Sequence, residues 1–457
     1  MDFAFDAATI EAAIKRYNAT RGTYAVYRAY ARGEQELKYL DDDLLRESGK
    51  EMRGLRENLC AAAISAFTSP LQISSWGSNQ NDEIARTARL TSALKTAWAE
   101  AHRCGAGYII VSRLPDGSLI PFNQRADQVR LIGDDFNPRA AKGAVRFWVD
   151  GAGYPRLTTW DAAVITEYKA LKPFEMLDSG NPKIDDFPAK LDSWAIETPP
   201  TAHGFEGVPV ERFRRGSEDP WDDGQSLLTD VIPLQDGLNA SLANTVVLAQ
   251  AYARPFWYLL NYQPKQSDNP LAAARALAQA LQQAAPDFGP EASEGFDRKK
   301  QRIFTTDSPG PFGQLEPPDL SKLLDLQDRF AAKVARVIGV PLYFFTQTQG
   351  DTPSGASLRV LTQRRTDAIT DFQDEATDSC IRIGQLLGMT DPAPVWVDPA
   401  PMDTTEELAI ADTKYNRLGY ALEDALAALN EADIASIVER AQARAKGEEV
   451  EANVAEF

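Results

Sequence analysis

The sequence predicts an α+β protein in which a strand-rich segment is followed by three long helices. Three observations carry this. Between residues 108 and 196, six short runs rich in β-branched and aromatic residues are separated by turn residues. Apolar residues recur at spacings of three and four from Leu227 to Val246, and again from Leu320 to Ile338. A third helical run covers 354–387 and is about 51 Å long if straight.

The first 70 residues read as helical. Ile10, Ile14 and Tyr17 share one face, and Tyr24, Tyr27 and Tyr30 recur every three residues, a pattern of core packing rather than base stacking. A small-residue helix over 58–67 ends at Ser69-Pro70. Residues 82–104 predict one long amphipathic helix, with Ile84, Leu90, Leu94 and Trp98 on or near one face, followed by Gly105 and Gly107. Strands are expected at 108–112, 128–132, 144–149, 156–160, 164–168 and 193–196. Turns fall at Asp116-Gly117 and at Gly151–Gly153, which favours antiparallel pairing. An acidic, proline-containing surface loop covers 177–188.

In the second half, Leu227, Val231, Leu234, Leu238, Leu242 and Val246 form a seam along a helix, with Pro233 in its first turns or at a kink. Residues 254–318 change texture. They hold an aromatic cluster, an alanine-rich helix over 270–285 and a short strand at 301–305, and read as a small insertion between two long helices. Asp319 is placed to cap the second of these, which Gly339 and Pro341 terminate. A loop follows. Thr352 then serves as N-cap and Pro353 as first residue of the third helix, with Gly388 as its stop. Short helices are expected beyond it, with a capping box at Thr404 and Glu407, a cap at Asn430 and an acidic, disordered tail from Lys446.

A chain of 457 residues with 44% hydrophobic and 25% charged residues is expected to form about three domains. No apolar run reaches membrane-spanning length, and the N-terminus lacks the basic start of a signal peptide. Cys60, Cys104 and Cys380 are too few and scattered for a disulfide framework. The two histidines, His102 and His203, have no neighbours to complete a zinc site, so no metal and no cofactor is expected. The glycine-rich run from Gly350 to Gly355 lacks the lysine of a phosphate-binding loop, because Ala356 and Ser357 follow it. Asp41, Asp42, Asp43, Asp134 and Asp135 are the obvious material for a carboxylate- or metal-dependent hydrolase or nuclease, the alternative reading. They read instead as solvated loops or helix N-termini. The net charge of −18 opposes a tight DNA-binding domain but suits a conduit along which DNA slides.

Three stretches in this order resemble the portal proteins of long-tailed bacteriophages: GVPVERF with VIPLQDGLN (207–213 and 231–239), FGQLEPPDLSKLLDLQDRFAAKVARVIGVP (312–341) and the helix start PSGASLRVL. The resemblance spans about residues 24–440. It implies a portal-like architecture: a wing over 1–224, a first stem helix over 225–253, a clip over 254–318 and a second stem helix over 319–339. A tunnel loop over 340–353, a long wing helix over 354–390 and a helical crown with an acidic tail over 391–457 complete it. It also implies a ring, usually of twelve subunits, at the portal vertex of the virion, assembled in the host cytoplasm. The ring would pass double-stranded DNA during packaging and ejection. Its other partners would be the terminase large subunit, the head–tail adaptor, and the major capsid and scaffolding proteins. It implies no enzymatic activity and no membrane. Another structural ring protein of the virion is the second alternative.

The helix over 320–338 supports a reading independent of the family. Lys322, Arg329, Lys333 and Arg336 fall within about 60° of one another along about 21 Å, opposite Leu320, Leu323, Leu324, Phe330, Val334 and Ile338. On a generic helix such a stripe is a solvated face opposite a core; in the portal stem that the resemblance implies, the exposed face is the channel wall, which makes Lys322, Arg329, Lys333 and Arg336 the candidate DNA-channel residues, with neighbouring acids such as Asp325 and Asp328 as the competing partners. The candidate tunnel-loop residues are Thr346, Gln347, Thr348, Gln349, Gly350 and Asp351, polar and mostly uncharged. Tyr343, Phe344 and Phe345 are expected to anchor the base of that loop.

Overall fold

The computed structural model describes residues 5, 7–39, 56–134, 141–175, 177, 185–216, 221–253, 257–259, 303–305, 312–314, 319–345, 355–400, 409, 412–417, 419 and 438. They fall into two compact units. The first comprises Met1–Gln35, Asn58–Gln235 and Ala331–Phe457, and the second Glu36–Glu57 and Asp236–Phe330.

In the first unit, helix α1 (Ala7–Arg32) precedes α2 (Leu59–Thr68), whose first turn is capped by the Asn58 side chain accepting from the Ala61 N–H. Strand β1 (Ile73–Ser75) leads to α3 (Asn79–Thr87) and α4 (Leu90–Cys104). The single helix expected over 82–104 is thus two helices. The break lies at Arg89, whose φ of 54° is left-handed and cannot continue a helix. Apolar spacing carries across that break, so periodicity alone hides it. Strands follow as β2 (Ala106–Arg113), β3 (Leu119–Gln124), β4 (Val129–Gly133), β5 (Ala141–Val149), β6 (Pro155–Trp160), β7 (Val164–Ala170), β8 (Trp194–Ala202) and β9 (Val210–Arg214). Of these, β3 and β9 are strands beyond those expected.

β4 to β8 form one antiparallel sheet in sequence order, and β3–β2–β9 form a second, with β2 in the middle. β2 is buried on both faces through its first six residues. Its sequence is accordingly a continuous apolar run rather than an alternating one. One side meets Trp98 and Phe213 through Ile109 and Val111, in the main core. The other, with Ala106, Tyr108 and Ile110, meets Tyr24 of α1 and Trp160 of β6. A third cluster sets Ile10, Ile14 and Tyr17 of α1 against Val145, Phe147 and Leu157 of the larger sheet. Of the tyrosine stripe, Tyr24 and Tyr30 are buried and Tyr27 is half-buried against the cluster that holds Tyr24, so the stripe packs into the core, while Tyr17 stacks on Phe147 at 4.5 Å between centroids. Gly107 permits the close approach of α4 to β2. A Cβ there would lie 2.0 Å from the Ala97 carbonyl oxygen.

After β9, α5 (Ile232–Ala253) carries Pro233 in its first turn, where no helical N–H is lost. Leu227, Val231 and Leu238 of the expected seam are buried, while Leu234, Leu242 and Val246 are half-buried. In the second unit, β10 (Trp257–Leu259) pairs in parallel with β11 (Ile303–Thr305) and antiparallel with β12 (Phe312–Gln314). α6 (Ser321–Ile338) follows, belonging to the second unit up to Phe330 and to the first from Ala331, and then α7 (Gly355–Leu386) in the first unit. α7 lays Thr362, Ile369, Phe372, Ala376, Cys380 and Ile383 inward and ends where the Met389 N–H returns to the Gly384 carbonyl, with Gly388 at φ 84°. β13 (Val395–Trp396) pairs antiparallel with β1 and places Trp396 5.2 Å from Trp98. The caps expected at Thr352, Thr404 and Asn430, and the helix over 270–285, lie outside the described residues.

His102 is a core histidine. It is 1% exposed, its Nδ1 bonds the Trp98 carbonyl, and its ring lies 4.6 Å from that of Phe372. Burial pushes its pKa down to about 4, against the raising effect of the carbonyl bond. An unfolded histidine protonates near 6.5, so the unfolded state takes up the proton first as pH falls. The stability that neutral His102 permits is complete above about pH 6.5 and declines toward pH 4, by roughly 3 kcal/mol at the lower end. His102→Gln is expected to flatten the acid limb of a stability–pH curve measured by denaturant unfolding; an unchanged limb would refute this assignment.

Candidate nucleic-acid interface

α6 starts where Asp319 accepts hydrogen bonds from the Ser321 N–H at 2.9 Å and its hydroxyl at 2.6 Å. These bonds hold the Asp319 carboxyl below its usual range. A carboxylate is favoured at this positive end of the helix dipole. The helix is amphipathic as expected. Ala331, Val334 and Ala335 are buried, and Lys322, Arg329, Lys333 and Arg336 are all exposed. Of the expected apolar side, Val334 and Ile338 meet neighbours, but Leu324 is 52% exposed. Among the described residues, neither Asp325 nor Asp328 forms an ion pair with Lys322, Arg329 or Arg336.

The end of α6 brings in a cation that no single-helix pattern reveals. Gly339 adopts φ 76°, and the Val340 N–H closes back on the Ala335 carbonyl at 3.0 Å. Arg364 of α7 lies against this turn. Its Nη1 donates to the Arg336 carbonyl at 3.5 Å, and a Cβ on residue 339 would meet its Cδ and Nε at 2.8 Å. Arg364 is itself exposed. Arg336 and Arg364 thus sit together at the C-terminal end of α6, although 28 residues separate them in sequence.

A short 3₁₀ turn, Leu342–Phe344, follows. Phe344 and Phe345 pack against the main core, as the anchoring expectation requires. Tyr343 departs from it. It is 38% exposed and stacks on Phe344 at 4.8 Å. Thr346, Gln347, Thr348, Gln349, Gly350 and Asp351 lie outside the described residues.

No protein-family model and no curated protein matches the chain. Three similar solved structures are particles of a gene transfer agent (GTA). One, "Neck of native GTA particle computed with C12 symmetry", is 13% identical with a TM-score of 0.46, covering 84% of this chain and 91% of that one. A second, "Neck of empty GTA particle computed with C6 symmetry", is 12% identical with a TM-score of 0.47, covering 85% and 92%. The third, "Virion of native gene transfer agent (GTA) particle", is 12% identical with a TM-score of 0.45, covering 87% and 96%.

All three cysteines are buried. Cys104 and Cys380 are buried, and burial drives both thiols well above the ordinary range, away from the reactive thiolate. Cys60 is buried with its Sγ 3.8 Å from Gln235 Oε1. Among the described residues, no group of three or more His, Cys, Asp or Glu side chains could hold a metal ion. Asp41, Asp42, Asp43 and Asp135 lie outside the described residues. No described helix is long and apolar enough to cross a membrane.

Proposed function

We propose that this chain is a portal subunit: one member of a closed ring, of about twelve copies, through which double-stranded DNA enters and leaves a phage-like capsid. The observation that carries the reading is α6. It buries Ala331, Val334 and Ala335 and exposes four aligned cations, on a chain whose net charge is −18. Rings of such cations would give weak, sequence-independent phosphate contacts, while the remaining acidic surface repels the backbone. DNA would be guided without being trapped. Two further facts support it: the order of motifs along the sequence, and the placing of a small sheet, β10 to β12, between α5 and α6 in the chain.

On this reading residues 1–224 form the wing, 225–253 and 319–339 the stem helices, 254–318 the clip, 340–353 the tunnel loop, 354–390 the long wing helix and 391–457 the crown. Lys322, Arg329, Lys333 and Arg336 line the channel, joined by Arg364. The ring sits in the virion at the portal vertex and docks the terminase large subunit and the head–tail adaptor. It has no catalytic role. Copies of one helix pair packing side by side make heterologous contacts that close into a ring.

The polar loop residues would make sliding contact with the DNA backbone. Shortening Gln347–Gly350 is expected to leave ring assembly unchanged, as read by native mass, and to reduce DNA packaged or retained per particle. Packaging at the wild-type level would refute the role given to the loop.

A further inference from the structure

We propose that Arg364 and Arg365 are a two-point clamp that fixes the connection 339–345 onto α7, and so position Tyr343–Phe345. The clamp itself is argued from geometry; its consequence for DNA rests on the portal reading above. Consecutive residues on a helix point about 100° apart, so adjacent arginines reach different neighbours. Arg364 reaches the last turn of α6, at the Arg336 carbonyl and across Gly339. Arg365 turns inward. It is 8% exposed, and its Nε donates to the Ala66 carbonyl in the last turn of α2 at 2.7 Å. Its guanidinium lies over the Phe344 ring, 5.0 Å from the centroid. Both carbonyls lie at the negative ends of helix dipoles, where a cation is favoured. The two arginines therefore hold both ends of the stretch 339–345, from one turn of one helix.

Arg365 is an unfavourable choice for a purely packing role. Among the described residues it forms no ion pair, and burial lowers its pKa, with Tyr343 opposing that shift. A buried guanidinium without an anion is destabilising, and an apolar side chain of similar length would fill the space without that penalty. α7 is already held along this face by Thr362, Ile369 and Phe372. What Arg365 adds is the planar cation over Phe344 and the bond to α2, neither of which an apolar residue supplies. Its place in the core thus follows from the ring it holds.

The test is site-resolved hydrogen exchange on the full-length chain. The Phe344 N–H bonds the Pro341 carbonyl at 3.2 Å, the Phe345 N–H the Leu342 carbonyl at 2.9 Å, and the Val340 N–H the Ala335 carbonyl at 3.0 Å. In Arg365→Met, the Phe344 and Phe345 amides are expected to exchange about tenfold faster while amides of α4 and β2 keep their rates. Arg364→Met is expected to speed Val340 in the same way. Arg365→Lys keeps the charge but loses the planar fork, and is expected to fall between wild type and Arg365→Met; should Arg365→Met fail to fold, this variant carries the test. Wild-type exchange at Phe344 and Phe345 in Arg365→Lys, or in a folded Arg365→Met, overturns the clamp. Particles built with Arg365→Lys should assemble normally and retain less DNA. Fast exchange with normal DNA retention overturns the positioning role alone, and a chain that forms no ring at all overturns the portal reading while the exchange result still stands.

Discussion

Replacing Arg28 with methionine is expected to lower the unfolding free energy by about 3–5 kcal/mol, the penalty for breaking a buried ion pair. Arg28 is 7% exposed and sits on α1. Its Nη2 lies 2.8 Å from Glu100 Oε1 on α4 and 2.5 Å from Asp127 Oδ1 in the turn before β4. Glu100 also accepts from Arg103 at 2.7 Å and from the Ala126 N–H at 3.2 Å. Burial alone would raise the Glu100 carboxyl, but Arg28, Arg103 and the Ala126 N–H together hold it below its usual range. Removing Arg28 leaves two buried carboxylates whose remaining ion-pair partners among the described residues are Arg103 and Arg125, which are 30% and 50% exposed at their side chains. The destabilisation comes mainly from the stranded charge rather than from the missing bond itself. Arg28→Met with Glu100→Gln and Asp127→Asn should therefore recover about half of the stability, measured by denaturant midpoints. A single variant within about 0.5 kcal/mol of wild type would show that the network does not hold α1, α4 and β4 together.

The second large effect concerns DNA. Changing Lys322, Arg329, Lys333 and Arg336 together to glutamine is expected to leave folding intact, since all four are exposed. It should weaken sequence-independent binding of duplex DNA and flatten its salt dependence. Each phosphate that is no longer neutralised reduces the slope of log affinity against log salt by about one. The competing outcome is specific. If the stripe meets acids of a neighbouring copy, the variant fails to assemble, while any DNA binding by wild type keeps its salt slope in the variant. Asp325 and Asp328 on the same helix do not pre-empt either outcome, because they form no ion pair with Lys322, Arg329 or Arg336 among the described residues.

Much of the fold was legible in the sequence because its signals are local. Asp319 and Gly339 bound α6 as their chemistry requires, and strands β4 to β8 coincide with β-branched and aromatic runs between turn residues. The break at Arg89 was not legible, since a left-handed non-glycine residue leaves no mark in the apolar period. β9 reads as part of a motif rather than as a strand, because its identity depends on pairing with β2 about a hundred residues earlier. The cationic stripe was visible from one helix's geometry. Arg364 and Arg365 were not, because their roles come from Arg336, Ala66 and Phe344 in other elements. The polar network of Arg28, Glu100 and Asp127 was hidden for the same reason. Charged residues on helices read as solvated faces until a tertiary partner covers them.

The most direct test of the central claim is imaging of the purified chain, unstained in ice, alongside its native mass. The portal reading predicts a closed ring of about twelve subunits with a central hole, and Lys322, Arg329, Lys333 and Arg336 facing that hole. A compact monomer or dimer that persists across salt and protein concentration would contradict it.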